Sequence, residues 1–185
     1  MKFFATKMGY GMKNRKKKGF DLDGTLIAYG TPPGGKVVIN EKLIDQLLAR
    51  GDSIAIISNQ GGVPFALNGA TNMPMPEDIA VRLRALTDYL EGKGVYISDI
   101  YVCAFHERAR ADRVVEASRK IVSACADLGI TNIVSYMSVH ARKPDPFMIT
   151  TSGVEVYFGD SSDDEQAAAA AGIEFVMVER FTGKE

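Results

Sequence analysis

Two rhythms of apolar residues alternate along this chain. In the first, apolar positions run together: Ile54-Ala55-Ile56-Ile57, and Val154 to Phe158 broken only by Glu155, have the length and β-branched content of strands buried on both faces. In the second they return every three or four residues, the period of a helix with one packed face. Leu43, Ile44, Leu47 and Leu48 mark such a helix over residues 41–50, with Asn40 as its cap and Gly51 at its stop. Ile79, Leu83, Leu86 and Leu90 mark another over 76–91, opened by Pro76. Val114, Val115, Ile121, Val122 and Cys125 mark a third over 109–128, ended by Gly129. Strands are predicted over 53–57, 97–105, 130–137, 154–158 and 173–178, and an alanine-rich helix over 164–171, ended by Gly172.

Strands that alternate with helices imply an α/β fold: a doubly wound, mostly parallel, Rossmann-like sheet between helices. Its poorest strand is the first, which should run into Asp21 but reads Lys16-Lys17-Lys18-Gly19 with only Phe20 apolar. That strand is expected to be short, or to lay its lysine stems along an edge. Residues 28–35 are too rich in glycine and proline for a helix, and 61–76 form a long loop, the place for a lid. Residues 149–153 are too few for a helix. The 84 residues from Ser58 to Arg142 have room for a small helical cap insertion but not for a large second domain. One domain over 19–185 is expected, behind a leader of 1–18.

Composition changes this picture only at the leader. At 46% hydrophobic and 24% charged the body is globular, and no apolar run is long enough to span a bilayer. Lysines interrupt the N-terminus where a secretory signal would be apolar, so a cytoplasmic location is expected. Cys103 and Cys125 have no disulfide-framework spacing. Seven of the 22 Lys and Arg fall in residues 1–18 with no acid among them, which leaves 15 basic against 23 acidic residues in an acidic body. The leader reads as a flexible solvated tail, as sequence ahead of a later start at Met8 or Met12, or as a nucleic-acid-binding arm.

The chemistry gathers at strand ends. Asp21-Leu22-Asp23-Gly24-Thr25 sets two carboxylates one residue apart, an arrangement that repels itself unless a cation lies between. Ser58-Asn59-Gln60 and Gly159-Asp160-Ser161-Ser162-Asp163-Asp164 each follow a strand, and Arg142-Lys143-Pro144 lies in a polar loop. Asp21 and Asp160 are hard oxygen ligands suited to Mg²⁺, and Lys143 is a point charge suited to a phosphate.

In order and in type these four segments resemble the four motifs of the haloacid dehalogenase superfamily of phosphatases and phosphotransferases, over residues 20–178. The resemblance implies that Asp21 is the nucleophile that forms an aspartyl-phosphate, and that Asp23 is the general acid and base. It implies Mg²⁺ held by Asp21, the backbone carbonyl of Asp23, and Asp160. Asp164 is either a further ligand or a carboxylate just outside the coordination sphere. Lys143, the Ser58 hydroxyl and the Asn59 backbone N–H would cradle the phosphate. An aspartate at position 23 goes with hydrolysis of the phosphoenzyme, and residues 28–35 would be a mobile flap beside the site.

Ser58-Asn59-Gln60-Gly61-Gly62, Arg142-Lys143-Pro144 and Met148 resemble the branch that holds polynucleotide 3'-phosphatases, histidinol-phosphatases and heptose bisphosphate phosphatases. The last two commonly carry a zinc loop with paired cysteines before the Arg-Lys-Pro, where this chain has Val139-His140-Ala141. Cys103 and His106 would supply only two ligands, too few for a tetrahedral zinc. The run from Gly19 to Ile27 is most similar to the polynucleotide 3'-phosphatases, although Phe147 stands where that branch favours glycine. A nucleic-acid 3' end would need a basic funnel, and Arg108, Arg110 and Arg113 with His106 either line one or form a solvated helix face. The alternatives are a phosphatase of small sugar or nucleotide phosphates, and a non-catalytic relative that binds phosphate or nucleic acid.

Overall fold

The computed structural model describes residues 16–184. The first half of the chain forms β1 (Lys18–Phe20), α1 (Glu41–Leu47), β2 (Ser53–Asn59), α2 (Val63–Ala66), α3 (Pro76–Gly92) and β3 (Tyr96–Cys103). The second forms α4 (Ala111–Asp127), β4 (Ile133–Tyr136), a 3₁₀ turn at Val139–Ala141, α5 (Phe147–Ser152), β5 (Val156–Gly159), α6 (Ser162–Ala171) and β6 (Glu174–Met177). All six strands pair in parallel, in the order β4-β3-β2-β1-β5-β6, so the fold is α/β and doubly wound. From β1 the chain winds outward through β2, β3 and β4, and then crosses to β5 and β6 on the other side. The direction of winding therefore reverses beside β1, and the crevice at the carboxyl ends of the strands there is where such sheets bind ligands.

Both faces of the sheet are buried, which is why its central strands read as unbroken apolar runs. Ile54 and Ile56 of β2 face a core built with Ile44 of α1, Ile79, Leu83 and Leu86 of α3, and Ile121 and Cys125 of α4. Ala55 and Ile57, one residue out of step, face Met148 and Ile149 of α5 and Ala167 and Ala168 of α6. Small alanines on α6 let that helix lie close against Tyr157, which is fully buried.

β1 is only three residues long, and neighbours on both sides support it. The Phe20 ring stacks on that of Phe158 in β5, with centroids 4.7 Å apart. A side chain at Gly19 would come within 3.0 Å of both Tyr157 and Val154, so the strand is spaced by a residue with none. The lysines before Phe20 are tied along the sheet edge. Lys17 Nζ donates to the Ser152 carbonyl at 2.7 Å, and Lys18 Nζ to the Leu47 carbonyl at 2.5 Å. Lys16, Lys17 and Lys18 pair with Glu174, Asp99 and Asp52. Of the stretch expected as a leader, residues 16–18 are described, and their ammonium groups meet these acids and carbonyls. The rest of it, residues 1–15, lies outside the described residues.

Two further expectations are corrected. α1 stops at Leu47 rather than near residue 50, because Leu48 is extended and Asp52 accepts the Ala49 N–H at 3.0 Å. A helix does form after Met148's loop: α5 gains its length by starting at Phe147, whose N–H is taken by Asp145 at 3.0 Å, and it closes on a left-handed Gly153. The segment between Ser58 and Arg142 supplies α2 through β4, all but the four-residue α2 being elements of the core sandwich. Among the described residues, no helix is long and apolar enough to cross a membrane.

Candidate active site

The reversal point of the sheet gathers the motif residues. β1 delivers Asp21, β2 delivers Ser58 and Asn59, and β5 delivers Asp160, each at its carboxyl end. Lys143 comes from the loop before α5, and Asp164 from the first turn of α6. An open pocket of about 230 Å³ lies among them, with Asp23, Tyr29, Arg142 and Arg180 completing its walls. A larger groove, about 420 Å³, runs between α1 and residues 177–184, but it lacks the carboxylate cluster. Chemistry, not size, marks the site.

Asp21, Asp160 and Asp164 each bring a carboxylate oxygen within 4.8 Å of the others. Gly24 makes this approach feasible: its φ is +90°, and a side chain there would come within 2.6 Å of an Asp160 oxygen. Two cations stand among the three carboxylates. Lys143 Nζ donates to Asp21 Oδ1 and to Asp164 Oδ1, both at 2.6 Å, and it also reaches Tyr157 Oη at 2.9 Å and the Ile57 carbonyl at 3.0 Å. The second cation is Arg180, whose Nε bonds Asp160 Oδ2.

Lys143 is 3% exposed, so its charge must be met inside the protein. Burial alone would favour the neutral amine. The charges of Asp21 and Asp164 overturn that and hold its pKa well above the ordinary lysine value. The Tyr157 phenol, raised by its own burial, stays protonated and donates to the Ile57 carbonyl at 2.9 Å. Asn59 fixes the lysine from behind. Its side chain accepts the Lys143 N–H at 3.1 Å and donates to the Lys143 carbonyl at 3.0 Å.

Burial lifts the Asp21 carboxyl to about 7. Lys143 pulls it back, while Asp164 and Asp23 add to the rise. Ionising Asp21 therefore costs more in the folded chain than in the unfolded one, where the ordinary value of 3.8 applies. Its contribution to stability is complete below about pH 4 and is lost as pH climbs through 7. Without divalent metal, Asp21→Asn should melt above the parent at pH 8, by a wider margin than at pH 5. A margin independent of pH, read from thermal melts at the two values, contradicts this.

Asp23 is held on both oxygens. Gln60 Nε2 donates to Oδ2 at 2.7 Å, and Arg82 Nη1 lies 3.3 Å from Oδ1. The same Gln60 amide donates to Ser58 Oγ at 2.9 Å, which leaves the serine's own proton free for an acceptor in the pocket. Asp164 has its oxygens engaged by Lys143 on one side and by the Ser161 N–H and hydroxyl on the other, in a capping box. The segment expected as a flap is tied at four points: Thr31 O to Arg82 at 2.5 Å, the Gly34 N–H to Asp78 at 2.7 Å, the Tyr29 N–H to the Phe181 carbonyl at 2.8 Å, and the Ala28 N–H to the Val38 carbonyl at 2.9 Å.

All seven residues expected at the site, Asp21, Asp23, Ser58, Asn59, Lys143, Asp160 and Asp164, line this one pocket. The residues of the expected basic funnel do not. Arg110 pairs with Asp112 and Arg113 with Glu116, while the His106 ring packs edge-on against Phe65 at 5.0 Å. Cys103 is buried, with its thiol toward the Ser138 carbonyl. Sequence reasoning missed Gln60, Arg82, Tyr157 and Arg180 as parts of the site. Gln60 stood inside a quoted motif, and Arg82 is a lone cation on the packed face of a helix, between Ile79 and Leu83. No family model matches this chain, and no curated protein or solved structure matches it either.

Proposed function

We propose that this chain is a Mg²⁺-dependent phosphomonoester hydrolase that works through an aspartyl-phosphate on Asp21. The observation that carries the proposal is the buried Lys143, bonded at 2.6 Å to both Asp21 and Asp164 at the floor of a pocket set on the sheet's reversal point. A structural ion pair needs one carboxylate; here a second, Asp164, shares the lysine, and a third, Asp160, stands within 4.8 Å of both. Mg²⁺ fits this donor set, since every candidate ligand is a hard oxygen and a dication would offset the burial and the neighbouring carboxylates that lift Asp21. Asp21, Asp160 and the Asp23 carbonyl would hold it. When bound, it supplies positive charge to the phosphate oxygens.

The chain's own residues account for the rest. Lys143, on giving up one of its present partners, and the Ser58 hydroxyl donate to the phosphoryl oxygens and screen them from the carboxylates. An Asp21 oxygen bonds to phosphorus as the bond to the leaving oxygen breaks, and Asp23 gives that oxygen its proton. Asp23 then takes a proton from water as the water oxygen attacks phosphorus, which frees inorganic phosphate and restores Asp21.

Gln60 aims both Asp23 and Ser58, so Gln60→Leu should lower kcat about 10- to 100-fold, with a smaller change in KM. Aryl phosphates of graded acidity check the assignment. The loss should shrink for leaving groups that depart without a proton, and a uniform loss across the series argues against a role through Asp23.

The substrate is read by phosphate release with Mg²⁺ from a 3'-phosphorylated oligonucleotide, its 5'-phosphorylated twin, sugar phosphates and nucleotides. Selective release from the 3' end supports the polynucleotide branch, and release only from small phosphates supports a metabolic role. No release from any of them, or from an aryl phosphate, removes the hydrolase reading in favour of a phosphate-binding one. A cytoplasmic setting is part of the same proposal and is consistent with two free, buried cysteines.

A further inference from the structure

Three carboxylates meet at this site, and the two cations that answer them are held differently. Lys143 is enclosed, with four polar partners around its ammonium. Arg180 reaches in from the solvent side: its side chain is 48% exposed, whereas that of its partner Asp160 is 3% exposed. The Arg180 guanidinium also lies over the Tyr29 ring, 4.7 Å from the centroid, and Tyr29 is itself exposed at the mouth of the pocket. Backbone bonds fix the frame of this pair. The Phe181 N–H donates to the Gly24 carbonyl at 2.8 Å, and the Tyr29 N–H donates to the Phe181 carbonyl at 2.8 Å. The arginine stem can therefore swing without moving the strand end or the flap that anchor it.

We infer that Arg180 is the resident counter-ion of the metal site, which a divalent cation displaces from Asp160, and that the displaced guanidinium then takes an oxygen of the bound phosphate. This rests on the metal reading given above. A dication on Asp160 puts like charge against the guanidinium, whose half-exposed side chain is free to turn from Asp160 toward solvent. The Tyr29 face, over which the guanidinium already lies, keeps it at the pocket mouth by cation–π attraction. Arg180, which lines the pocket as Arg142 does, is there able to make a charge-assisted bond to a phosphate or leaving-group oxygen. The metal and the oxyanion should then bind with positive coupling, each strengthening the other through one side chain.

Calorimetric titration tests this without any turnover. Mg²⁺ is titrated into metal-free parent, Arg180→Gln and Arg180→Lys, each first shown by thermal melt to be folded, and inorganic phosphate is then titrated with Mg²⁺ present and absent. Removing the competitor should tighten Mg²⁺ binding about three- to tenfold in Arg180→Gln, the scale of one partly exposed, charge-assisted pair. Arg180→Lys should fall between the two. Mg²⁺ should raise phosphate affinity more in the parent than in Arg180→Gln. Equal or weaker Mg²⁺ binding by Arg180→Gln overturns the inference and leaves the hydrolase reading standing. Absence of Mg²⁺ binding in all three proteins overturns the inference and the metal reading together, whereas loss of the hydrolase reading alone would appear as turnover indifferent to Asp21.

Discussion

Asp21→Asn should abolish Mg²⁺-dependent phosphate release, by about 10⁴-fold or more in kcat, while the protein stays folded. The amide keeps the volume of the carboxylate but offers phosphorus no anionic oxygen, so the first bond of the reaction cannot form. Folding is expected to survive, because Lys143 keeps Asp164, the Tyr157 hydroxyl and the Ile57 carbonyl as partners. Burial opposes the charge on Asp21, so the variant should even be the more stable form at neutral pH without metal. Release from an aryl phosphate, measured beside a thermal melt, checks both halves. Equal turnover by parent and variant would remove Asp21 from the chemistry.

Lys143→Met should have the largest effect on stability. Methionine fills a similar volume, but it leaves Asp21 and Asp164 buried with no cation between them. Removing one member of a buried pair typically costs roughly 3–5 kcal/mol, an expected fall in melting temperature on the order of 10 °C for a domain of this size. The double variant Lys143→Met with Asp21→Asn should recover part of that loss, since one of the stranded carboxylates is gone. Thermal melts of the two single variants and the double variant measure the coupling. Recovery in the double variant no larger than the gain that Asp21→Asn gives by itself would show that the lysine is not there to balance Asp21.

Several parts of this architecture are visible in the chain itself because their physics is local. Ile54 to Ile57 read as a buried strand for the reason that they are one: each residue lies against a packed layer, whichever face it takes. Asn40 reads as a cap and acts as one, accepting the Leu43 N–H at 3.2 Å. The motif residues are legible because a parallel sheet puts the residue after each strand at the same edge. Asp21, Ser58 and Asp160 share a pocket for that reason alone. β1 is barely legible, since its three residues depend on the strands at either side and on lysines held by carbonyls far away in the sequence. α5 was hidden because its start depends on one side-chain bond from Asp145 to Phe147.

The unforeseen members of the site share a different cause. Tyr157 stands under Lys143, 14 residues away, and its apolar run gave no hint that its hydroxyl would meet an ammonium. Arg180 and Asp160 are 20 residues apart and meet only because β6 returns the chain to the same edge as β5. Arg82 reaches Asp23 across 59 residues. These contacts come from tertiary packing, which periodicity and motif spacing do not encode.

The most direct test of the central claim is to seek the covalent intermediate. The parent is mixed with Mg²⁺ and a phosphate ester, quenched in acid within the first turnovers, and the peptide that contains Asp21 is weighed. A phosphoryl group is expected on Asp21, dependent on Mg²⁺ and absent from Asp21→Asn, with longer persistence in Asp23→Asn, where no base activates the water. Turnover by the parent with no phosphoryl group on Asp21 under any quench time, or with the group on another residue, would contradict it.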